Sequence, residues 1–377
     1  MKVALVHDLL VSYGGAEQVL LEMHAMFPDA PIYTTMYDPS RLPPRFANLP
    51  VRTSFLQRMP ASARFYGAAV PLMPAAFRRF DLSGYDLVLS SAHAFAKAVR
   101  VPEGAVHVCY CYTPLRYAWS HQDEYLARMP LRPALEPAGR MVLNLLRRWD
   151  LEAAKGVDTF VAISQTVRER IAAFYGRDSE VVYAPVDLTR FRPVPEGPRD
   201  PGAAVLVVSR LFPYKRVDAA VEACTRLGLP LKVVGRGPEM ARLQRLAGPS
   251  VRFLGEVDDR TLEDEYRACR MLLFTSDEDF GLAPLEAMAS GRPVLALDRG
   301  GARETVVAGV TGDFYPDAGV DALVDALQRF REDQYDPQAC AARAAEFSPQ
   351  RFRSELRAVI ERAAGVSLPG ADTKRPR

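Results

Sequence analysis

The feature that most constrains this chain is an alternation sustained over nearly its whole length. Short β-rich runs give way to helical stretches and then return. In the first half the runs are 3–8, 31–36, 87–91, 106–112, 159–164 and 181–186. In the second half they are 204–210, 231–235, 251–255, 271–276 and 294–298, with helices such as 217–227 and 258–270 between them. Strands separated by helices pair in parallel, because a parallel connection must cross over the sheet and a helix makes that crossing. The expected class is therefore α/β, with helices on both faces of each sheet.

One stretch breaks the alternation. "DLTRFRPVPEGPRDPGA", starting at Asp187, is proline-rich and has no period, which marks a linker. The boundary is placed between Val186 and Gly202, and 377 residues suit two domains better than one. The expected division is a domain over 1–186, a linker over 187–202 and a second domain over 203–350. A C-terminal helix over 351–364 is expected to pack back toward the first domain, followed by a loose tail over 365–377. Open parallel sheets bind ligands at the C-terminal ends of their strands, so two such domains imply a cleft.

Composition excludes more than it selects. A net charge of +2 points to no partner class. The five scattered cysteines suggest a reducing compartment. Cys109 and Cys111 alternate in "VHVCYCY" and read as core strand positions rather than metal ligands. No run reaches the roughly 18 apolar residues of a membrane span, and the N-terminus shows no cleavage signal. A soluble, cytoplasmic protein is expected.

"SDEDFGLAPLEAMASG", from Ser276 to Gly291, follows the buried run "MLLF" and reads as loop and helix. Pro284 suits a first helical turn and Gly291 the position past a helix end. A helix starting at about Leu282 offers unpaired N–H groups and a positive dipole end, which favour an anion. Glu278 and Glu286 flank that anion site. They make sense if the ligand is a phosphate carrying hydroxyl-rich groups, since carboxylates accept from hydroxyls. In "AVLVVSRLFPYKRVDAAVEA", Arg210 closes a strand and Lys215 precedes a helix. Both can reach the same sheet edge, to hold a diphosphate and take up charge as it leaves. A competing reading of "DED" makes Asp277 and Asp279 ligands of a divalent metal.

Taken in order, "SRLFPYK", "VVGRGPE", "FLGEV", "SDEDFGLAPLEAMASGRPVLAL" and "GGARETVVAGVTG" resemble the nucleotide-binding domain of family 4 retaining glycosyltransferases of the GT-B fold. Glu278 and Glu286 match that family's E-x7-E signature. "DLLVSYGGAEQVL" resembles its acceptor-domain glycine loop, and "VLSSAHAFAKAV", "CYCYTPLRYAW", "ISQTVRERI" and "VVYAPVD" resemble the bacterial polysaccharide mannosyltransferase branch. The resemblance covers about Met1 to Phe352 and implies two Rossmann-like domains facing across a cleft. It further implies Arg210 and Lys215 on the donor diphosphate, Glu278 on the transferred sugar and Glu286 on the ribose. By the same resemblance the backbone of Gly281, Leu282 and Ala283 holds the distal phosphate, and Gly235 lets the backbone approach the nucleoside. Gly15 lies near the donor phosphate, and His93 contacts the donor sugar.

The first half is less explicit. Gly14 and Gly15 in "SYGGAEQ" permit close backbone approach ahead of a helix starting at about Ala16. Neither this stretch nor "GRGPEM" completes G-x-G-x-x-G, which speaks against a dehydrogenase. Tyr112 and Arg116 are acceptor-side candidates. Asp8 is either a polar strand end or an acceptor contact. Residues 41–80 hold seven arginines and no Asp or Glu, interleaved with Phe46, Phe55, Leu56, Phe65, Tyr66, Phe77 and Phe80. That composition fits an anionic membrane surface, and equally a packed core under solvated arginines. "RMVLNLLRRW", 140–149, is a second basic-apolar stretch. Nothing resembles a nucleic-acid module.

The expected activity is retaining transfer of a hexose, mannose from GDP-mannose first, to a glycan or lipid-linked acceptor. No cofactor or metal is expected, and peripheral attachment to the inner face of the plasma membrane accompanies a lipid-linked acceptor. A nucleotide-sugar epimerase and a non-catalytic nucleotide-sugar or polysaccharide binder are the alternatives.

Overall fold

A computed structural model of the chain describes residues 1–59, 69–120, 122, 126, 136–193 and 202–368. Residues 194–201 of the expected linker, Phe65, Tyr66 and the end of the tail from 369 lie outside these. The chain forms two compact units, Met1–Tyr183 with Arg353–Arg377, and Ala184–Phe352.

The first unit is built on seven parallel strands: β1 (Val3–His7), β2 (Ile32–Thr34), β3 (Val51–Thr53), β4 (Leu87–Ala92), β5 (Val106–Cys111), β6 (Thr159–Ala162) and β7 (Ser179–Val181). Their order is β3-β2-β1-β4-β5-β6-β7. β1 and β4 are buried along their whole length, and their apolar residues run on without alternation until the buried His7 in one and Ser90 and Ser91 in the other. Chain order reverses between β1 and β4, where Val3 pairs with Leu87 and His7 with Ser91. Such a reversal opens a crevice at the strand ends, and Asp8 and His93 both lie just beyond it.

The second unit repeats the plan with β8 (Val205–Val208), β9 (Leu231–Val234), β10 (Val251–Gly255), β11 (Met271–Phe274), β12 (Val294–Leu297) and β13 (Gly312–Tyr315). The order is β10-β9-β8-β11-β12-β13, with every pair parallel and the reversal between β8 and β11. Arg210, Lys215 and Glu278 follow those two strands. Leu206, Leu272 and Val294 are wholly buried beneath them, each side chain worth about 1.5–3 kcal/mol of burial.

The structure corrects several expectations. β3 and β13 were not anticipated, and β7 begins at Ser179 rather than at 181. The residues after β7 leave the first sheet, and Val186 N–H donates to Phe347 O at 2.9 Å within the second unit. The C-terminal helix, Pro349–Ala364, buries Leu356, Val359 and Ile360. Its Arg353 bonds Glu22 at 2.8 Å, and its Arg362 pairs with Glu180.

The aromatic stretch also changes meaning. Phe46, Leu56 and Phe77 are fully buried core residues, whereas Phe55 is exposed beneath the Arg79 guanidinium. For those three residues, core packing replaces insertion into lipid. Cys109 and Cys111 sit in the core of β5, and burial pushes the Cys109 thiol up to about 12. No helix among the described residues is long and apolar enough to cross a membrane.

Candidate active site

In the second unit the loops after β8 and β9 run side by side. Ser209 N–H donates to Val234 O and Leu211 N–H to Arg236 O, each at 3.0 Å. Gly235 is where they come closest. At its φ of +127°, a Cβ would lie 2.0 Å from Ser209 O, so only glycine fits. The structure thus gives Gly235 a reason internal to the fold, where closeness to a nucleoside was expected.

Arg210 is exposed, and no carboxylate among the described residues lies within ion-pair distance of it. A 3-10 turn, Pro213–Lys215, follows. Arg216 adopts φ +51°, a left-handed conformation costly for a side chain with a Cβ, and the helix Val217–Leu227 then begins. Lys215 is buried, and Thr275 Oγ1 donates to its carbonyl at 2.8 Å, tying this turn to the end of β11.

Beyond β11, Ser276 Oγ donates to Glu278 Oε1 at 2.9 Å, and the Lys215 ammonium pairs with the same oxygen. A pair of adjacent glycines holds this loop in place. Gly301 N–H donates to Glu278 O at 2.8 Å, and a Cβ on Gly300 would lie 2.3 Å from that carbonyl. Asp277 is exposed while Asp279 is buried, so the two carboxylates that the competing reading makes ligands of one metal occupy different surroundings.

The helix Leu282–Ala289 starts where expected. Gly281 precedes it at φ +86°, and no side chain caps its first turn. Leu282 and Ala283 form that turn, whose N–H groups remain available to an anion. Glu286 stands one turn further along. Its Oε2 accepts from the Tyr266 hydroxyl at 2.6 Å, and burial pushes its carboxyl above the ordinary value.

The first unit's strand ends are organised around Asp8. Its carboxylate accepts from the N–H groups of His93, Ala94, Phe95 and Ala96 at 2.7, 2.9, 2.6 and 2.7 Å. The His93 ring approaches through Nδ1 at 3.2 Å. Burial alone would raise the Asp8 pKa; the His93 and His7 rings and these N–H groups outweigh it and hold it low. Of the two readings left open, the structure supports the polar strand end.

Gly15 is the first residue of the helix Gly15–Met26. Tyr112 is buried, with its hydroxyl donating to Ala16 O at 3.0 Å and 2.9 Å from Ser91 Oγ. That engagement explains a tyrosine here without an acceptor. Arg116 opens the short helix Arg116–Trp119 and is half-buried.

Two family models match the chain. "Glycosyltransferase Family 4" matches residues 13–190 and "Glycosyl transferases group 1" matches 192–347, together well over half its length. The chain belongs to glycosyltransferase family 4. Among its relatives is the GDP-mannose-dependent alpha-(1-6)-phosphatidylinositol monomannoside mannosyltransferase of Mycobacterium tuberculosis, 30% identical over 245 residues. That match covers 58% of this chain and 62% of the relative. The D-inositol 3-phosphate glycosyltransferase of Kribbella flavida is 30% identical, over 56% of this chain and 57% of its own. The chain therefore spans about six-tenths of the length of these relatives.

Solved structures extend the likeness in fold. Sucrose-phosphate synthase from Thermosynechococcus elongatus superposes with a TM-score of 0.74 at 17% identity, over 95% of this chain and 98% of its own. Anabaena HepE, solved in complex with UDP-glucose, gives 0.69 at 18% identity, over 96% and 100%. The fold is GT-B.

Seen as a family 4 glycosyltransferase, the chain has Lys215, Glu278 and Ser276 joined by direct bonds, with Arg210 on the adjoining loop. Sequence reasoning missed Ser276 and Tyr266. Ser276 lies two residues before the signature glutamate, a spacing at which a hydroxyl reaches a carboxylate. Tyr266 had only a weak signal, a lone aromatic in the polar helix Asp259–Ala268.

Proposed function

We propose that the protein transfers a hexose from a nucleotide diphosphate sugar to a glycan or lipid-linked acceptor, with retained anomeric configuration, in polysaccharide or glycolipid biosynthesis. The observation that carries this reading is the gathering of Lys215, Glu278 and an uncapped helix start at one sheet edge, with Arg210 exposed beside them. Departure of the diphosphate is the costly step. Arg210, Lys215 and the N–H groups of the helix Leu282–Ala289 meet the charge that develops there, and the reading includes no metal. Glu278 accepts from hydroxyls of the sugar, and Glu286 from those of the ribose. The diphosphate itself takes the acceptor's proton, so no second carboxylate is needed.

Mannose from GDP-mannose is the first choice, supported by the name of the mycobacterial relative. HepE is solved in complex with UDP-glucose, which makes UDP the nucleotide to test against GDP. A lipid-linked acceptor would bring an anionic membrane surface as partner. In support, Met141, Val142 and Leu145 of the helix Glu136–Lys155 are 59%, 51% and 58% exposed, with Arg140 and Arg148 exposed beside them.

Calorimetric titration with GDP, UDP and ADP, without metal, tests the donor site. GDP is expected to bind best, and Lys215→Ala to weaken it by about 10- to 100-fold, the worth of a charge-assisted phosphate contact. Preference for UDP or ADP would discard mannose and keep the site. Equal affinity in the variant would move the phosphate elsewhere.

A further inference from the structure

Tyr266 is fully buried near the end of the helix Asp259–Ala268. Its ring meets Phe191 edge-on, with centroids 5.4 Å apart and planes at 83°. Its hydroxyl donates to Glu286 Oε2 at 2.6 Å, and Oε1 is bonded to no described residue. A glutamate left to itself samples many rotamers, and ordering it costs up to about 2 kcal/mol. A phenol carries one proton to give, so a bond to one carboxylate oxygen fixes the group and leaves the other oxygen for a ligand.

Core packing alone does not account for the pair. Phenylalanine beside an apolar residue would fill the same space without taking a carboxylate out of water. Here the Glu286 carboxyl is half-buried against the Tyr266 hydroxyl, and that burial pushes its pKa up.

We propose that Tyr266 is a positioning residue for nucleotide recognition: it holds Glu286 with Oε1 presented to the ribose hydroxyls, and so makes the site prefer ribose to deoxyribose. The inference rests on the reading that Glu286 binds the ribose. Phe191 contributes by holding the Tyr266 ring in the orientation that aims its hydroxyl.

The test is a ratio. GDP, UDP and ADP, each beside its 2′,3′-dideoxy analogue, are titrated into the full-length wild type, Tyr266→Phe and Glu286→Ala. The wild type is expected to favour the ribose form of its preferred nucleotide by roughly tenfold or more. Tyr266→Phe should bind the dideoxy analogue as the wild type does and the ribose form about five- to tenfold more weakly, bringing the ratio toward one. Both nucleotides meet the same sample, so partial loss of folded protein alters the stoichiometry and leaves the ratio intact.

Three outcomes would overturn the proposal, each for its own reason. Equal weakening of both forms by Tyr266→Phe, or no weakening, leaves Tyr266 as packing while the Glu286 reading stands. An unchanged ratio in Glu286→Ala removes Glu286 from the ribose and takes the proposal with it. A wild type that binds none of the three nucleotides removes the donor site as well.

Discussion

Each sheet places carboxylates at the point where its chain order reverses, and the two sheets treat them differently. In the first, Asp8 is saturated: four backbone N–H groups and the His93 ring occupy its oxygens. In the second, Glu286 is held by one oxygen only. The lysines follow suit. Lys97 lies 2.5 Å from Asp150 with the two side chains 1% and 0% exposed, and Trp119 and Tyr175 complete the Asp150 shell at 2.9 and 2.7 Å. Lys215 instead pairs with a Glu278 that remains 21% exposed. A charged group whose bonding capacity is spent inside the protein holds the fold. One that is half-held is prepared for something else.

The largest expected effect would break this comparison at Asp8. Asp8→Ala strands four N–H groups, those of Phe95 and Ala96 fully buried, and should cost on the order of 3 kcal/mol or more in denaturant unfolding. Glu286→Ala strands a single hydroxyl and should cost about 1–2 kcal/mol. Comparable losses at both positions would mean that saturation does not separate structural from ligand-directed carboxylates here.

That contrast also marks what could be read before the structure was known. The central strands were legible because burial on both faces makes them continuous apolar runs. β3 and β13 were not, because edge strands carry polar residues: Arg52 and Thr53 in one, Asp313 in the other. The spacing of Glu278 and Glu286 was legible as a local pattern on one loop and helix. The role of Asp8 was not, because its partners are backbone groups some 85 residues away, and backbone amides leave no trace in a sequence. Tyr266 was hidden for a related reason, with its partner on another helix. Phe46, Leu56 and Phe77 were open to two readings because composition does not say which way a side chain faces.

A smaller effect sharpens the comparison through pH. The Asp8 pKa is lowered below its ordinary 3.8, so its contribution is complete above that value and is lost as pH falls through the folded value. The Glu286 pKa is raised above 4.5, so its charged form weakens the fold above the raised value, and that cost is relieved as pH falls through it. Unfolding free energies of Asp8→Asn and Glu286→Gln, each against the wild type, should therefore run in opposite directions. Asp8→Asn should be the less stable at neutral pH, with the gap closing only below 3.8. Burial of the charge favours Glu286→Gln at neutral pH, and that advantage should fade on acidification before pH 4.5 is reached. Parallel pH dependences would show that both carboxylates are held alike.

The smallest effect concerns the first unit's surface, where two basic stretches compete for the same role. Within 41–80 the core has taken Phe46, Leu56 and Phe77, leaving Phe55, Met59 and Leu72 between 38% and 44% exposed. On the helix Glu136–Lys155, Met141, Val142 and Leu145 are more than half exposed and contiguous on one face. Apolar side chains reach the acyl boundary only when they stand clear of the surface, while arginines nearby add about 1 kcal/mol each toward anionic lipid. Replacing Met141, Val142 and Leu145 with Ser should therefore lower binding to anionic vesicles several-fold more than replacing Phe55, Met59 and Leu72. Neutral vesicles separate the two contributions, because binding that persists there comes from the apolar face and binding that disappears comes from the arginines. Equal losses from both sets would spread the membrane contact over the two stretches, and no loss from either would leave this face to solvent.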